Sequence, residues 1–272
     1  MKQIIIGSIG FCLVLSLFSF VNKKERSVFE TKCFKQKYAL VPSGDVMIDG
    51  DLTSVESFYI SKAEVTNEEY NRFLQDIKAS GNSDLYNACL PDGCQWEVVC
   101  KNKPLTVWYQ NQKAYAYYPV VNISYDAAMA YCKWMEAKVN SEDKTGHKYE
   151  YSLPTREEWV RAAEGKLHSV NYAWGGPKAK NEMGCTLCQC NRSTQERSVF
   201  DNVTYTSPAK SYMPNSIGLF NMNGNAAEMI AQRGIAVGGS WASSETEAMN
   251  RSTSKFSGPS PFVGFRPIVT VK

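Results

Sequence analysis

"GIAVGGSWASSETEAMNR", residues Gly234–Arg251, joins a short apolar run to a Gly-Gly-Ser-Trp turn. An apolar run that ends at paired glycines predicts a strand leading into a tight turn, because glycine adopts backbone angles that other residues avoid. The residues after the turn are small and polar, and none of the chain's nine cysteines is among them. The pattern predicts a well-built turn without an evident nucleophile, base or metal ligand.

The composition argues against several classes of function. The chain of 272 residues is long enough for one large domain or two small ones, and its hydrophobic fraction of 43% allows a full core. Its net charge is only +3 and no stripe of Lys and Arg occurs, which argues against nucleic acid as the main partner. The only histidines are His147 and His168, so a multi-histidine metal enzyme is disfavoured.

The N-terminus has the pattern of an export signal. Lys2 precedes an apolar run from Ile4 to Val21, and basic residues follow. The run is close to the lower limit of about 17–25 residues for a spanning helix, so residues 1–27 are predicted to be a signal peptide or an N-terminal membrane anchor. Phe11 before Cys12 makes a poor lipid-attachment signal. We expect an extracytoplasmic protein, in the periplasm or outer envelope.

Export changes how the cysteines are interpreted. An even number in an oxidising compartment favours disulfides, whose connectivity the sequence leaves open. The segment "CTLCQC" either pairs with Cys89, Cys94 and Cys100 or forms a metal knuckle, which needs a fourth ligand such as His168 or Cys94; disulfides are favoured. The eight cysteines beyond Cys12 are Cys33, Cys89, Cys94, Cys100, Cys132, Cys185, Cys188 and Cys190.

Three helices carry start signals. Thr66 with Glu69 and Thr155 with Glu158 have the spacing of capping boxes, and Ser124 is a third N-cap. Trp159 is expected to face inward. The apolar faces are predicted to hold Tyr70, Phe73, Leu74, Ile77, Ala128, Tyr131, Cys132 and Met135.

The second half of the chain has a different composition. From Leu167 to Lys272 it is rich in Gly, Pro, Asn and Ser, with short apolar runs. Such a segment predicts loops around a few short strands. The fold class expected for residues 28–272 is a single α+β domain with low regular secondary structure.

Several stretches together resemble the formylglycine-generating-enzyme domain, also called the sulfatase-modifying-factor domain. The resemblance covers residues 38–271 and implies an irregular α+β fold related to C-type lectins. The stretches occur in the family's order: "EVTNEEYNRFL", "YPVVNISYDAAMAYCKWM", "YSLPTREEWVRAA", "YAWGG", "GLFNMNGNAAEMI", "VGGSW" and "VGFRPIV".

A narrower resemblance concerns "CLPDGCQW" and "YQNQKAYAYYPVVNISYDAAMAYCKW". These stretches look like the branch that holds the gliding-motility and type IX secretion lipoproteins GldJ and GldK of Bacteroidota. This sequence departs from that branch in lacking a clear lipid-attachment cysteine. The resemblance implies protein partners in a cell-envelope assembly.

The family resemblance gives a reason for the Gly-Gly-Ser-Trp turn that has no nucleophile or metal ligand. In catalytic members the turn leads to two cysteines, five residues apart, that bind copper(I) and activate oxygen to oxidise a substrate cysteine. Those places are Ser243 and Ala248 here, and soft copper(I) needs sulfur at both. We expect no copper, and a turn kept for packing with Trp241 in the core. Members also pair Cys132 with a cysteine where this chain has Pro267, so Cys132 is expected to be a buried thiol or to have another partner.

The resemblance also implies two structural calcium sites. The first would use the Asn221 side chain, the carbonyls of Gly224 and Ala226, and the Glu228 carboxylate, which are the hard donors that calcium prefers. The alternative is an Asn/Gly-rich turn in which Glu228 caps neighbouring amides. The second site would use Asn191, Arg192, Asp201 and Val203, next to a segment dense in cysteines; its alternative is an Asx-turn loop.

Three functions remain as hypotheses. The first is a non-enzymatic, exported scaffold or interaction protein in a Bacteroidota envelope assembly. The second is a divergent enzyme that uses a different nucleophile or metal in the old substrate groove, although a serine hydrolase at Ser243 would need a histidine base. The third is a calcium-dependent carbohydrate-binding module, suggested by the aromatic content of 12%.

Overall fold

The computed structural model describes residue 28 and residues 31–98, 109–190 and 205–272. Residues 1–27, Cys100 and the predicted second calcium site at Asn191, Arg192, Asp201 and Val203 lie outside the described residues. Within the described ranges, the chain has no helix with the length and apolar character needed to cross a membrane.

Helices and short strands are interspersed up to Glu164, and the regular elements described after that residue are short strands. The helices are α1 (Lys32–Lys37), α2 (Asn67–Ala79), α3 (Ser83–Cys89), α4 (Tyr125–Glu142) and α5 (Arg156–Glu164). The strands are β1 (Tyr38–Val41), β2 (Gly44–Ile48), β3 (Asp51–Val55), β4 (Phe58–Ser61), β5 (Tyr149–Ser152), β6 (Ala227–Met229), β7 (Ile235–Val237), β8 (Thr253–Lys255), β9 (Val263–Gly264) and β10 (Ile268–Val271).

The strands form two four-stranded sheets and one hairpin. The first sheet has the order β1-β4-β10-β5 and is antiparallel, so the C-terminal strand lies between strands from the first half. The second has the order β8-β7-β6-β9, with β6 parallel to β9. β2 and β3 pair only with each other. The predicted α+β class with irregular C-terminal loops is confirmed.

The helix starts follow the sequence signals. The side chains of Thr66 and Thr155 each accept a hydrogen bond from the backbone N–H three residues later, and their own backbone N–H groups donate to the carboxylates of Glu69 and Glu158, so both capping boxes are confirmed. Ser124 caps α4. One core packs α2 and α4 against the first sheet, and a second surrounds Trp159 of α5, which is fully buried.

Candidate functional site at the Gly238–Gly239–Ser240 turn

Both glycines of the turn are required by close contacts. Gly238 and Gly239 have φ of +80° and +68°, which disfavours any side chain. A Cβ on Gly238 would lie 2.7 Å from the carbonyl oxygen of Met222, and one on Gly239 would lie 2.7 Å from the Cα of Ala248. β7 is therefore packed directly against two neighbouring loops at this turn. Trp241, expected in the core, is only half-buried and donates to the carbonyl of Pro261 at 3.0 Å.

Ser243 is hydrogen-bonded within the turn. Its Oγ accepts from the backbone N–H of Ser240 at 2.9 Å and lies 3.3 Å from the Ser240 hydroxyl. Among the described contacts, neither histidine is hydrogen-bonded to Ser243: His147 contacts Thr145, and both histidines are exposed. The hydrogen bonds of Ser243 support a structural role within the turn.

Ala248 is fully buried, and two thiols lie in the same cluster. Cys188 and Cys190 pack with Ala248 and Ala179 under Trp174. Their sulfur atoms are 3.0 Å apart. Sulfur is therefore brought close to the turn, but from a segment about 60 residues earlier in the chain. The sequence analysis considered these cysteines for disulfides or a metal knuckle and did not predict this proximity.

Contacts of Gln189 hold Cys188 and Cys190 on the same side of their segment. Its carbonyl accepts from the N–H of Asn225 at 2.6 Å, its side-chain N–H donates to Tyr205, and its side-chain oxygen accepts from the Tyr212 hydroxyl. A Cβ on Gly224 would lie 2.2 Å from the Gln189 carbonyl oxygen, so this approach needs glycine. In an extended segment, residues on either side of Gln189 point the same way, which aligns Cys188 with Cys190.

Arg251 closes the far side of the turn segment. It forms an ion pair with Glu164, which is 2% exposed, and also donates to the carbonyls of Val170 at 3.0 Å and Met47 at 2.8 Å. All these partners belong to the fold, so the guanidinium acts as a brace between α5, the β2–β3 hairpin and the turn.

The predicted first calcium loop is built around a buried ion pair. Glu228 and Arg266 are 1% and 0% exposed and lie 2.6 Å apart. Glu228 Oε2 also accepts from Trp159 at 2.6 Å and from Arg266 Nε at 2.7 Å. Glu228 thus binds two side chains and does not cap neighbouring amides, which corrects the alternative drawn from the sequence.

The same loop retains oxygen atoms that suit a hard cation. The Asn221 Oδ1 is buried and has no hydrogen-bond partner among the described residues. Among the described residues, Glu228 Oε1 accepts from Arg266 alone, and a carboxylate oxygen has two lone-pair sites. The residues fit calcium through Asn221 and Glu228, with the carbonyls of Gly224 and Ala226 in the same loop, and this site stays a prediction.

Glu64 adds a second buried carboxyl to this network. It accepts from the Asn225 side chain at 2.9 Å and from the Asn221 side chain at 3.3 Å. Burial raises the pKa of Glu64 to about 8; Arg266 counteracts the shift and Glu228 adds to it. When both carboxyls are ionised, one guanidinium leaves the network with one uncompensated negative charge, which a bound cation would offset.

The cysteine predictions have mixed outcomes. Cys89, Cys94 and Cys185 form no disulfide, so the proposed pairing of Cys89 and Cys94 with "CTLCQC" is wrong. The two segments lie in different environments: Cys89 is buried in the helical core, whereas Cys185 is exposed. In the described part of the chain, no three His, Cys, Asp or Glu side chains gather as a metal knuckle would require.

Comparison with known proteins identifies the family of this chain. The sequence matches the Sulfatase-modifying factor enzyme 1-like domain over residues 29–271. The chain belongs to this family. As in the sequence interpretation, this sulfatase-modifying-factor protein has Cys132 as a buried thiol, and burial raises the pKa of that thiol to about 12.

Curated relatives of this sulfatase-modifying-factor protein include active and inactive members. It is 27% identical to the formylglycine-generating enzyme of Streptomyces coelicolor over 63% of this chain and 56% of that enzyme. It is 24% identical to the inactive C-alpha-formylglycine-generating enzyme 2 of Bos taurus over 66% of this chain and 61% of the relative. The matches thus span less than two thirds of each relative.

Solved structures share the fold of this sulfatase-modifying-factor protein. CarF superposes with a TM-score of 0.59 at 20% identity, covering 85% of this chain and 97% of CarF. PvdO from Pseudomonas aeruginosa gives a TM-score of 0.56 at 17% identity, covering 85% and 93%. At these identities the likeness concerns architecture alone.

Proposed function

We propose that this protein is an exported, non-enzymatic member of its family that presents a rigid surface to protein partners in a Bacteroidota envelope assembly, such as gliding motility or type IX secretion. The observation that carries the proposal is the chemistry of the two side chains that follow the Gly238–Gly239–Ser240 turn. Ala248 offers a buried methyl group, and the Ser243 hydroxyl is hydrogen-bonded to its own turn. Neither position can supply the thiolate that copper(I) chemistry requires.

Two further features support a scaffold. Inactive relatives show that the domain persists without the activity named for the family. The interior is braced by charged side chains that bind other parts of the fold, as Arg266 and Arg251 do. A braced domain keeps the shape of its surface, which lowers the entropic cost of binding a partner.

The test is mild crosslinking of the tagged full chain in its native envelope, followed by affinity purification and mass spectrometry. The proposal expects stoichiometric recovery of several secretion or motility components. Recovery of the chain alone, as a monomer, would contradict it. A variant with surface substitutions on the recovered crosslinked face is the matched control for non-specific capture.

The thiol pair is the observation that favours a second candidate, a divergent enzyme. Cys188 and Cys190 place two soft donors beside Ala248, so thiol chemistry could use residues other than the family's pair. Enzymatic turnover that is lost in Cys188→Ser/Cys190→Ser but kept in Cys33→Ser/Cys94→Ser would favour this candidate, because Cys33 and Cys94 are exposed and do not belong to the cluster. The carbohydrate-binding alternative stays a prediction for a glycan array with and without calcium.

A further inference from the structure

A concave surface beside α1 has lysines at its rim. Its cavity volume is about 680 Å³, and its lining contains no acidic residue among the described part of the chain. We call it the lysine concavity. It is formed by Lys32, Lys35, Lys62 and Lys210 together with Gln36, Pro214, Gly218 and Phe220.

The four rim lysines form none of the ion pairs seen among the described residues, unlike Lys37 and Lys133. Lys37 pairs with Glu69 at 2.9 Å and Lys133 with Glu136 at 3.1 Å. No described carboxylate lies within ion-pair distance of the four rim lysines. The ion pairs among the described residues are Lys37–Glu69, Arg72–Glu68, Lys133–Glu136, Lys138–Asp76, Arg156–Asp49, Arg233–Asp126, Arg251–Glu164, Arg266–Glu228 and Lys272–Glu150. Their charge is therefore available to an external anion.

The backbone fixes the segments that carry these charges. Lys62 donates its N–H to the carbonyl of Lys37 at 2.8 Å, and its ammonium donates to the carbonyl of Lys35 at 2.7 Å. Its own carbonyl accepts from the N–H of Phe220 at 2.8 Å. Lys62 thus ties α1 to β4 and to the loop that supplies the apolar floor. The lysines are spread along the sequence, so no run of consecutive basic residues predicts this surface.

The charge and the floor together define the ligand. Lys32, Lys35 and Lys210 are exposed and Lys62 is half-buried, and all four line one opening, so their charges add to a positive local potential. A compact anion in this opening would be attracted by all four. Pro214 and Phe220 form an apolar floor, which suits the glycerol and ester part of a lipid better than a fully hydrated ion.

The position of the concavity in the chain points to a membrane. The apolar run ends at Val21, and Lys32 follows eleven positions later. Even a fully extended connection of that length spans no more than about 40 Å. An N-terminus attached to a bilayer would therefore keep the lysine concavity within reach of the headgroups.

We propose that the lysine concavity binds the headgroup of an anionic phospholipid in the membrane to which the N-terminus attaches. The inference rests on the membrane attachment that the N-terminal sequence predicts. It adds an orientation to the proposed scaffold, because the lysine face would lie on the bilayer and the opposite faces would be free for protein partners.

Lysine footprinting with an amine-reactive acylating reagent tests the proposal on the full chain. The protein is mixed with vesicles of phosphatidylcholine alone or of phosphatidylcholine with phosphatidylglycerol, and acylation is read at each lysine by mass spectrometry. We expect several-fold slower acylation of Lys32, Lys35, Lys62 and Lys210 only on the anionic vesicles. Lys133 and Lys255, which are not in the concavity, should react equally on both.

A variant separates headgroup binding from general attraction. Lys32→Gln/Lys35→Gln leaves Lys62 and Lys210 as reporters and should remove most of their protection, because each surface lysine contributes about five-fold to anionic-membrane binding. The matched control is Lys133→Gln/Lys255→Gln, which should leave protection unchanged.

Three outcomes would overturn the proposal. Equal acylation of the four lysines on both vesicles would exclude an anionic headgroup, and equal protection by inorganic phosphate without vesicles would show a general anion site. Protection that survives in Lys32→Gln/Lys35→Gln would place the contact elsewhere. Flotation with phosphatidylcholine vesicles alone reports separately on the N-terminal attachment, and the envelope pull-down reports on the scaffold.

Discussion

Glu228 and Arg266 form an ion pair that has almost no solvent exposure, with 2.6 Å between their closest charged atoms. Arg266 also donates to the carbonyls of Ser61 at 3.2 Å and Phe220 at 2.8 Å. The pair therefore joins the calcium-type loop, the end of β4 and the segment before β10. Loss of one partner would leave an uncompensated buried charge beside Trp159.

The first prediction concerns this pair. Arg266→Gln should lower the free energy of unfolding by about 3–5 kcal/mol, because Glu228 remains buried without its partner. Chemical denaturation checks this value. Arg233→Gln is the matched control, since Arg233 pairs with Asp126 at the surface and its loss should cost less than about 1 kcal/mol. In a double-mutant cycle, Glu228→Gln/Arg266→Gln should lose less than the sum of the single variants.

A second prediction concerns pH. In the unfolded chain Glu64 titrates near 4.5, whereas its pKa in the fold is about 8. Between these values the folded state holds more protons, so this group lowers the stability as pH rises and has no further effect above about 8. Glu64→Gln should remove that decline. Denaturation of both proteins at pH 5 and pH 8 measures it; an identical pH dependence in the variant would contradict the assignment.

Calcium addition should act on the same network. If the ion binds at Asn221 and Glu228, it favours the ionised form of Glu64, and it should raise the melting temperature more at pH 8 than at pH 5. Asn221→Ala removes the unbonded oxygen and should abolish the effect, whereas Asn71→Ala, which removes an amide bonded to the carbonyl of Gln110, should keep it. Equal melting temperatures with calcium and with a chelator would refute the calcium prediction.

A substitution at Gly224 tests the packing of the segment that carries Cys188 and Cys190. Gly224→Ala places a Cβ 2.2 Å from the Gln189 carbonyl oxygen, so it must displace the segment that carries Cys188 and Cys190. Gly81→Ala has a similar φ, +78° against +81°, but meets no atom within 4 Å. Gly224→Ala should therefore be less stable than Gly81→Ala by about 1–3 kcal/mol. Similar losses in both variants would show that only backbone strain matters.

Local signals predicted much of the fold. The capping boxes at Thr66 and Thr155 and the apolar face of α2 depend on residues three or four positions apart, so their information lies within short windows. The irregular second half followed from its Gly, Pro and Asn content. The family resemblance then supplied the order of these pieces, which local signals alone do not give.

The site was predicted less completely, because it depends on long-range packing. The absence of a donor at Ala248 could be read from the sequence, but the arrival of Cys188 and Cys190 beside it could not. Arg266 was quoted within a motif without a partner, since Glu228 lies 38 positions away. The extended Cys-Gln-Cys spacing was the one sequence signal for two aligned thiols.

The central claim is that the turn has kept its structure without the copper chemistry of catalytic relatives. The most direct measurement is an assay of the purified full chain with a cysteine-containing substrate peptide, oxygen and copper(I), read by oxygen uptake and by the mass of the peptide. The account predicts no conversion of the peptide cysteine to formylglycine beyond that seen with copper(I) alone. Copper-dependent conversion by the protein, lost in Cys188→Ser/Cys190→Ser, would contradict it.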